Sequence, residues 1–116
     1  RLQFWPNGNS FGITVAGSGA TNTITLNGPT GVILDSNGYL FIVDSGNHRI
    51  VGSGPNGFRC IIACSNTSGS SANQLNSPVS MSFDSYGNIF VVDRNNSRIQ
   101  KFMLNSSTTV RKYLIF

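Results

Sequence analysis

The chain has 116 residues, of which 39% are hydrophobic and only 10% charged, and glutamate does not occur. This length suits one ordinary domain, and its longest apolar runs, near Leu40–Val43 and Ile89–Val92, are far too short to span a membrane. The net charge of +4 could attract an anionic partner, but we favour the simpler explanation of a solvated surface that lacks acids. With no signal peptide visible and Arg1 at the start, we expect a mature product or an excised fragment.

The first 28 residues predict two strands and a loop. Residues 1–8 resemble residues 49–57, and residues 12–17 resemble residues 59–64. The loop after them ends in Leu26-Asn27-Gly28-Pro29, which recurs later as Leu75-Asn76-Ser77-Pro78. This segment therefore reads as half of a larger repeated unit.

Residues 29–63 predict four antiparallel strands. Alternation in residues 32–34 indicates a half-buried strand, and the continuous apolar run at residues 39–43 indicates an inner strand covered on both faces. Between them, Asp35-Ser36-Asn37-Gly38 predicts a tight primed turn, because Asn and Gly accept positive φ. A polar turn at residues 44–48 leads to a third strand from Arg49 and a fourth at residues 58–63, and residues 64–77 form a loop.

The second unit repeats the first at an offset of 49 residues. Residues 78–100 match residues 29–51 at ten of 23 positions, and such a period is typical of solenoids and propellers. Its predicted strands are residues 80–83, 88–92, 100–104 and 110–115, and the continuous apolar run at residues 88–92 again indicates an inner strand covered on both faces. No segment predicts a helix.

The repeated motif resembles the NHL repeat: Pro-x-Gly-x-x-x-Asp-x-x-Gly, an apolar strand ending in Asp, then Asn-x-Arg-Ile. The second unit departs from it at Ser80 and Ser97, where the first has Gly31 and His48. The motif positions are Asp35, Gly38, Asp44, Asn47 and Arg49 in the first unit and Asp84, Gly87, Asp93, Asn96 and Arg98 in the second.

The resemblance implies an all-β fold built from β-propeller blades, each a four-stranded antiparallel sheet, in a ring of about six blades. Residues 1–28 would be a half blade with its two outer strands and a loop, residues 29–77 a blade with its loop, and residues 78–116 a second blade. Two and a half blades cannot close a ring, so we expect other copies or a longer parent chain to complete it.

The motif residues have expected structural roles. Asp44 and Asp93 can accept backbone N–H groups of the following turn, and Arg49 and Arg98 can pair with them. Asn47 and Asn96 suit a left-handed turn position. Because the Asp–Arg pair recurs once in each unit, a catalytic role for it is not predicted.

The two cysteines and the glycosylation motifs indicate whether the protein lies inside or outside the cell. Cys60 and Cys64 would lie ~13 Å apart in an extended strand, so a disulfide requires the chain to curl after Ile62; two buried thiols are the alternative. Asn66, Asn95 and Asn105 begin Asn-x-Ser/Thr triplets, which are candidate N-glycosylation sites. Together these features favour an extracellular, glycosylated protein.

The predicted function is a non-enzymatic structural or interaction module. Apolar faces at both ends would let copies associate head-to-tail, giving a ring or a filament. The alternative is part of a six-bladed NHL propeller that binds a protein, glycan or RNA. RNA binding would require Arg59, Arg94 and Lys101 to converge on one face, and the cysteines and glycosylation motifs argue against it.

An enzymatic role is the third hypothesis. The resemblance extends to a peptidylglycine amidating lyase, but its set of metal-binding histidines has no counterpart, since His48 is the only histidine. Neither a Gly-x-Ser-x-Gly nucleophile elbow nor a phosphate-binding glycine loop occurs. We predict no catalytic, metal or cofactor site.

Overall fold

The protein forms three antiparallel sheets in chain order. The computed structural model describes residues 1–6, 8, 12–19, 23–54, 57–104 and 113–115, and within them there is no α-helix. The first sheet contains β1 (Leu2–Phe4) and β2 (Ile13–Ala16), the second β3 (Gly31–Leu34), β4 (Leu40–Asp44), β5 (Arg49–Gly54) and β6 (Gly57–Ile62), and the third β7 (Pro78–Phe83), β8 (Ile89–Asp93), β9 (Arg98–Leu104) and β10 (Tyr113–Ile115).

The predicted all-β class and the order of two, four and four strands are confirmed. Within each sheet, every strand pairs with the next one along the chain, as expected when short turns join antiparallel neighbours. Residues 105–112, which include part of the last predicted strand, lie outside the described residues. Among the described residues, no helix is long and apolar enough to cross a membrane.

The hairpin turns differ from the primed turns that the sequence predicts. Between Asp35 and Tyr39, only Gly38 has positive φ, at 82°, and its N–H donates to the Asp35 carbonyl at 3.1 Å. This is a type I turn followed by a left-handed glycine. The Asp35 carboxylate stabilises this turn rather than a primed turn, because its Oδ1 accepts the N–H groups of Asn37 and Tyr39, both at 2.9 Å.

The core lies between the sheets. Side chains of β4 alternate, so that Phe41 and Val43 pack towards the third sheet while Ile42 packs towards the first. The strand is therefore buried on both faces, as predicted. The larger cluster, between the second and third sheets, contains Phe41, Val43, Ile50, Ile62, Ala63, Leu75, Met81, Ile89, Val91 and Phe102.

Two further short elements are 3₁₀ helices, Ser45–Asn47 and Arg94–Asn96, at the motif turns between β4 and β5 and between β8 and β9. The sequence predicts these only as polar turns. They bring the Asn and Arg of each motif back over the aspartate that ends the preceding strand.

Candidate functional site

Asp44 and Asp93, the motif aspartates that end β4 and β8, are each the centre of a buried polar cluster. Asp93 is fully buried at the end of β8. Its Oδ2 accepts the Arg98 Nε–H at 2.7 Å and the Asn96 Nδ2–H at 2.9 Å. The cluster around Asp44 repeats this arrangement with the same residue types at nearly the same distances. The side chains predicted to pair therefore do so.

The backbone partner of these aspartates differs from the prediction. Asp44 Oδ1 accepts the Asn27 N–H, and Asp93 Oδ1 accepts the Asn76 N–H, both at 2.7 Å. These donors lie in the linker 17 residues earlier, not in the following turn. In the following turn, the Gly46 N–H donates instead to the Asn27 carbonyl at 2.8 Å. Each aspartate thus fastens its own sheet to the linker from the preceding one.

The left-handed residues of the motif turns are also not those predicted. His48, with φ of 54°, and Ser97, with φ of 50°, take this conformation, whereas Asn47 and Asn96 do not. The two asparagines lie inside the 3₁₀ helices, where their amides reach the aspartate. The side-chain contact outweighs the asparagine's turn preference, since a buried carboxylate requires hydrogen-bond donors.

His48 connects two sheets, a role that the sequence does not predict. Its Nδ1 accepts the Ser77 N–H at 3.0 Å, across 29 residues of chain. Ser77 immediately precedes β7, so the contact fixes the start of the third sheet against the second. The only sequence signal is that a histidine stands at the motif turn, and nothing local predicts its distant partner.

Arg98 holds the loop that joins the second and third sheets. Its guanidinium donates to three loop carbonyls, and Asn96 Nδ2 donates to a fourth at 2.8 Å. The three acceptors of Arg98 are Ser70 at 2.8 Å and Ser71 and Gln74 at 3.0 Å each. The motif therefore organises a loop at the end of the sheet, and its carboxylate is completely buried.

Cys60 and Cys64 form a disulfide, with Cα atoms 5.9 Å apart. The chain curls between them at Ala63, whose φ of 59° ends β6. A disulfide weakly indicates an oxidising environment. Of the three glycosylation motifs, Asn66 and Asn95 are exposed, and Asn105 lies outside the described residues.

The outer face of the third sheet is an exposed apolar surface. Its apolar side chains include Phe90, Val92 and Ile99, and Val92 is 36% and Ile99 69% exposed. The residues 49 positions earlier in the second sheet are fully buried, because the third sheet covers them: Phe41, Val43 and Ile50. We call Phe90, Val92 and Ile99 the outer face.

Polar residues surround this outer face where the second sheet has smaller or apolar ones. Lys101 replaces Gly52 and Ser82 replaces Ile33 at the equivalent positions. The Lys101 Nζ lies 5.4 Å from the centroid of the Phe90 ring, a cation–π contact that covers part of the face. Contacts made by this face are therefore expected to be weaker than those between the second and third sheets.

The four aspartates of the chain all accept hydrogen bonds from described residues. Besides the two buried aspartates, Asp35 and Asp84 accept hydrogen bonds in the hairpin turns. The side-chain hydrogen bond from Asn88, at 2.9 Å, lowers the pKa of Asp84 below its ordinary value. The three cations considered for RNA binding lie on separate elements: Arg59 on β6, Arg94 in the second 3₁₀ helix and Lys101 on β9.

Comparison with known proteins gives one family. The family model of the NHL repeat matches residues 26–52 and 75–102. These two segments contain the aspartate clusters and the strands that flank them. A search of curated proteins finds no match.

Proposed function

The chain belongs to the NHL-repeat family, and we propose that it is an extracellular structural module that associates with copies of itself through blade faces. NHL repeats form β-propeller-type interaction modules that are generally non-catalytic. The observation that carries the proposal is the exposure of the outer face. Ile99 is 69% exposed, whereas its equivalent Ile50 is completely buried by a following blade.

A blade of a second copy is the partner that this surface suits. The equivalent positions of the second sheet, Phe41, Val43 and Ile50, already pack against the third sheet within the molecule. A contact between the last blade of one copy and the first sheet of the next is head-to-tail, and it gives a ring when the rotation closes and a filament when it does not. At the other end of the molecule, Phe4 and Trp5 are exposed and available for such a contact.

The strength of this association depends on the residues of the face. Complete burial of a valine, isoleucine or phenylalanine side chain stabilises by about 1.5–3 kcal/mol. Lys101 weakens the association. When a second copy covers the face, the Lys101 ammonium group must either stay in contact with solvent or give up its contact with the Phe90 ring. Association should therefore depend on concentration and be weaker than the packing of blades within one chain.

Extracellular location is supported by covalent features of the chain. The Cys60–Cys64 disulfide persists in oxidising compartments. Asn66 and Asn95 are exposed, as acceptors of N-linked glycan must be. We propose that both carry glycan, which would keep the loop ends of the blades solvated.

Sedimentation velocity over a range of protein concentrations, with negative-stain electron microscopy of the same samples, tests the proposal. We expect rings or filaments that increase with concentration. The Ile99→Lys variant should shift the protein to monomer, while the control Tyr86→Lys, at an exposed hairpin turn, should assemble normally.

A well-folded wild-type monomer at micromolar concentration would contradict self-association. It would favour the alternative, in which the chain is part of a six-bladed propeller that binds a protein, glycan or RNA through its loops. Nucleic acid is the least expected of these ligands, because the Cys60–Cys64 disulfide and the glycosylation motifs favour an extracellular protein.

A further inference from the structure

An exposed Asn-Gly pair lies in the linker between the first and second sheets. We propose that Asn27 is a site of covalent modification, at which its side-chain amide is lost and the peptide bond to Gly28 rearranges to an isoaspartyl bond. Both residues are exposed, and Gly28 has a φ of 57°. The reaction concerns the linker alone and does not depend on the self-association proposed above.

The reaction needs only water and the two residues themselves. The Gly28 backbone nitrogen gives up its proton to hydroxide and forms a bond to the Asn27 Cγ atom. The Cγ–Nδ2 bond then breaks, and the amide nitrogen leaves as ammonia. Water opens the resulting cyclic imide at either carbonyl, which gives an aspartyl or an isoaspartyl product. Glycine is the most favourable following residue, because it has no side chain to obstruct ring closure.

The hydrogen bonding of the glycine nitrogen distinguishes this pair from another of the same sequence. The chain contains four Asn-Gly pairs, of which the structure describes two completely, Asn27-Gly28 and Asn37-Gly38. Within the described part of the chain, the Gly28 N–H donates no hydrogen bond. The Gly38 N–H donates to the Asp35 carbonyl at 3.1 Å, and this bond must break before its nitrogen can react. Asn27 should therefore react faster than Asn37.

The equivalent linker position in the next repeat is protected. Asn76 and Ser77 stand 49 residues after the reactive pair. The Ser77 N–H donates to His48 Nδ1 at 3.0 Å, and the Asn95 side chain donates to Asn76 Oδ1 at 3.3 Å. Serine also carries a side chain, which hinders ring closure more than glycine does. The two linkers of the repeat therefore differ in reactivity, although the same aspartate contact holds both.

The Asn27 side chain is only weakly restrained. Its Nδ2 lies 3.5 Å from the Gly46 carbonyl oxygen, which is longer than an ordinary N–H···O hydrogen bond. The amide packs on Gly46, where a side chain would collide with it. Among the described residues, no donor binds the Asn27 Oδ1. The Cγ atom can therefore turn towards the Gly28 nitrogen.

The modification acts on the contact that fastens the second sheet to its linker. The Asn27 N–H donates to the buried Asp44 Oδ1 at 2.7 Å, and the Asn27 carbonyl accepts the Gly46 N–H at 2.8 Å. In an isoaspartyl bond the backbone runs through the side chain, which lengthens it by a methylene group and turns the former carbonyl into a carboxylate. This carboxylate lies close to Asp44, and two like charges repel each other. The isoaspartyl protein should therefore unfold at a lower urea concentration.

Incubation of the folded protein at mildly alkaline pH, followed by peptide mapping with mass spectrometry, tests the proposal. We expect conversion at Asn27 to be at least about fivefold faster than at Asn37, the factor that one backbone hydrogen bond supplies. Electron-transfer fragmentation should show the isoaspartyl product, which forms only through the cyclic imide. In the control incubation in urea, both glycine nitrogens are free and the two sites should react at similar rates. Equal rates in the folded protein would overturn the proposal.

Variants separate the effect of the backbone N–H from that of the sequence. Asn27→Gln should show no conversion at this position, and its urea midpoint should stay constant during incubation while that of the wild type falls. Ser77→Gly places an Asn-Gly pair in the protected linker, where His48 still binds the N–H, so Asn76 should react slowly. Adding His48→Asn frees this N–H and should speed conversion at Asn76 at least about fivefold. An unchanged Asn76 rate in the double variant would contradict the control assigned to the N–H.

Discussion

Replacing Asp93 with alanine tests whether the motif cluster holds the blades together. The aspartate is completely buried and accepts hydrogen bonds from three donors. The donors are the Asn76 N–H, the Asn96 side chain and the Arg98 Nε–H. Alanine leaves all three without this acceptor and disconnects β8 from the linker that precedes the third sheet.

The size of the effect depends on the burial of the partners. Breaking a buried ion pair by removing one partner costs about 3–5 kcal/mol. The Arg98 side chain is 28% exposed and keeps its three carbonyl acceptors in the loop, which lowers the cost. We therefore expect the free energy of unfolding to fall by about 3 kcal/mol. Asp44→Ala should cost at least as much, because Arg49 is only 14% exposed.

Urea unfolding at pH 7, followed by far-ultraviolet circular dichroism, measures the loss. The matched control is Asp35→Ala, which removes a carboxylate that accepts backbone N–H groups of a surface turn, and about 1 kcal/mol is expected there. The comparison holds as long as the denaturant slopes are equal. An Asp93→Ala loss no larger than the Asp35→Ala loss would refute the role assigned to the buried cluster.

Three further outcomes are expected. His48→Asn keeps the left-handed turn preference but loses the contact to the linker before β7, so unfolding free energy should fall by about 1 kcal/mol, and a value near zero would contradict that contact. Replacing both Cys60 and Cys64 with serine should cost about 2 kcal/mol in a urea titration, because the disulfide closes only a short loop. Asn88→Ala should raise the pKa of Asp84, measured by NMR titration. Since the native pKa is the lowered one, wild type loses the Asp84 contribution as pH falls below about 4, and the variant should lose less on acidification.

Much of the fold was predictable because its causes are local. The alternation of apolar residues indicates strands, and Gly38 and Gly87, four residues after Leu34 and Phe83, indicate hairpins, so the 49-residue repeat predicts four strands twice. Strand β4 illustrates this: its unbroken apolar run is buried on both faces. The same reasoning fails for β8, whose similar run leaves Val92 exposed, because burial of its outer face requires a neighbouring sheet.

The partners within the motif were partly predictable. The pairing of Asp93 with Arg98 spans five residues and is a consequence of the short turn between their strands. The conformation of the asparagine was not predictable in the same way. Asn96 was expected to adopt the left-handed conformation, but Ser97 does so, because the Asn96 amide is needed by the buried carboxylate.

The sequence by itself determined the repeat, the all-β class and the identity of the motif residues, since these depend on spacing and on side-chain type. Only the tertiary structure decided which groups meet across long stretches of chain, such as His48 with Ser77 and Asp44 with Asn27. It alone also showed that equivalent residues differ in burial, as Ile50 and Ile99 do. The physical reason is that burial depends on the neighbouring sheet, and a repeat read along the chain looks the same whether or not a neighbour covers it.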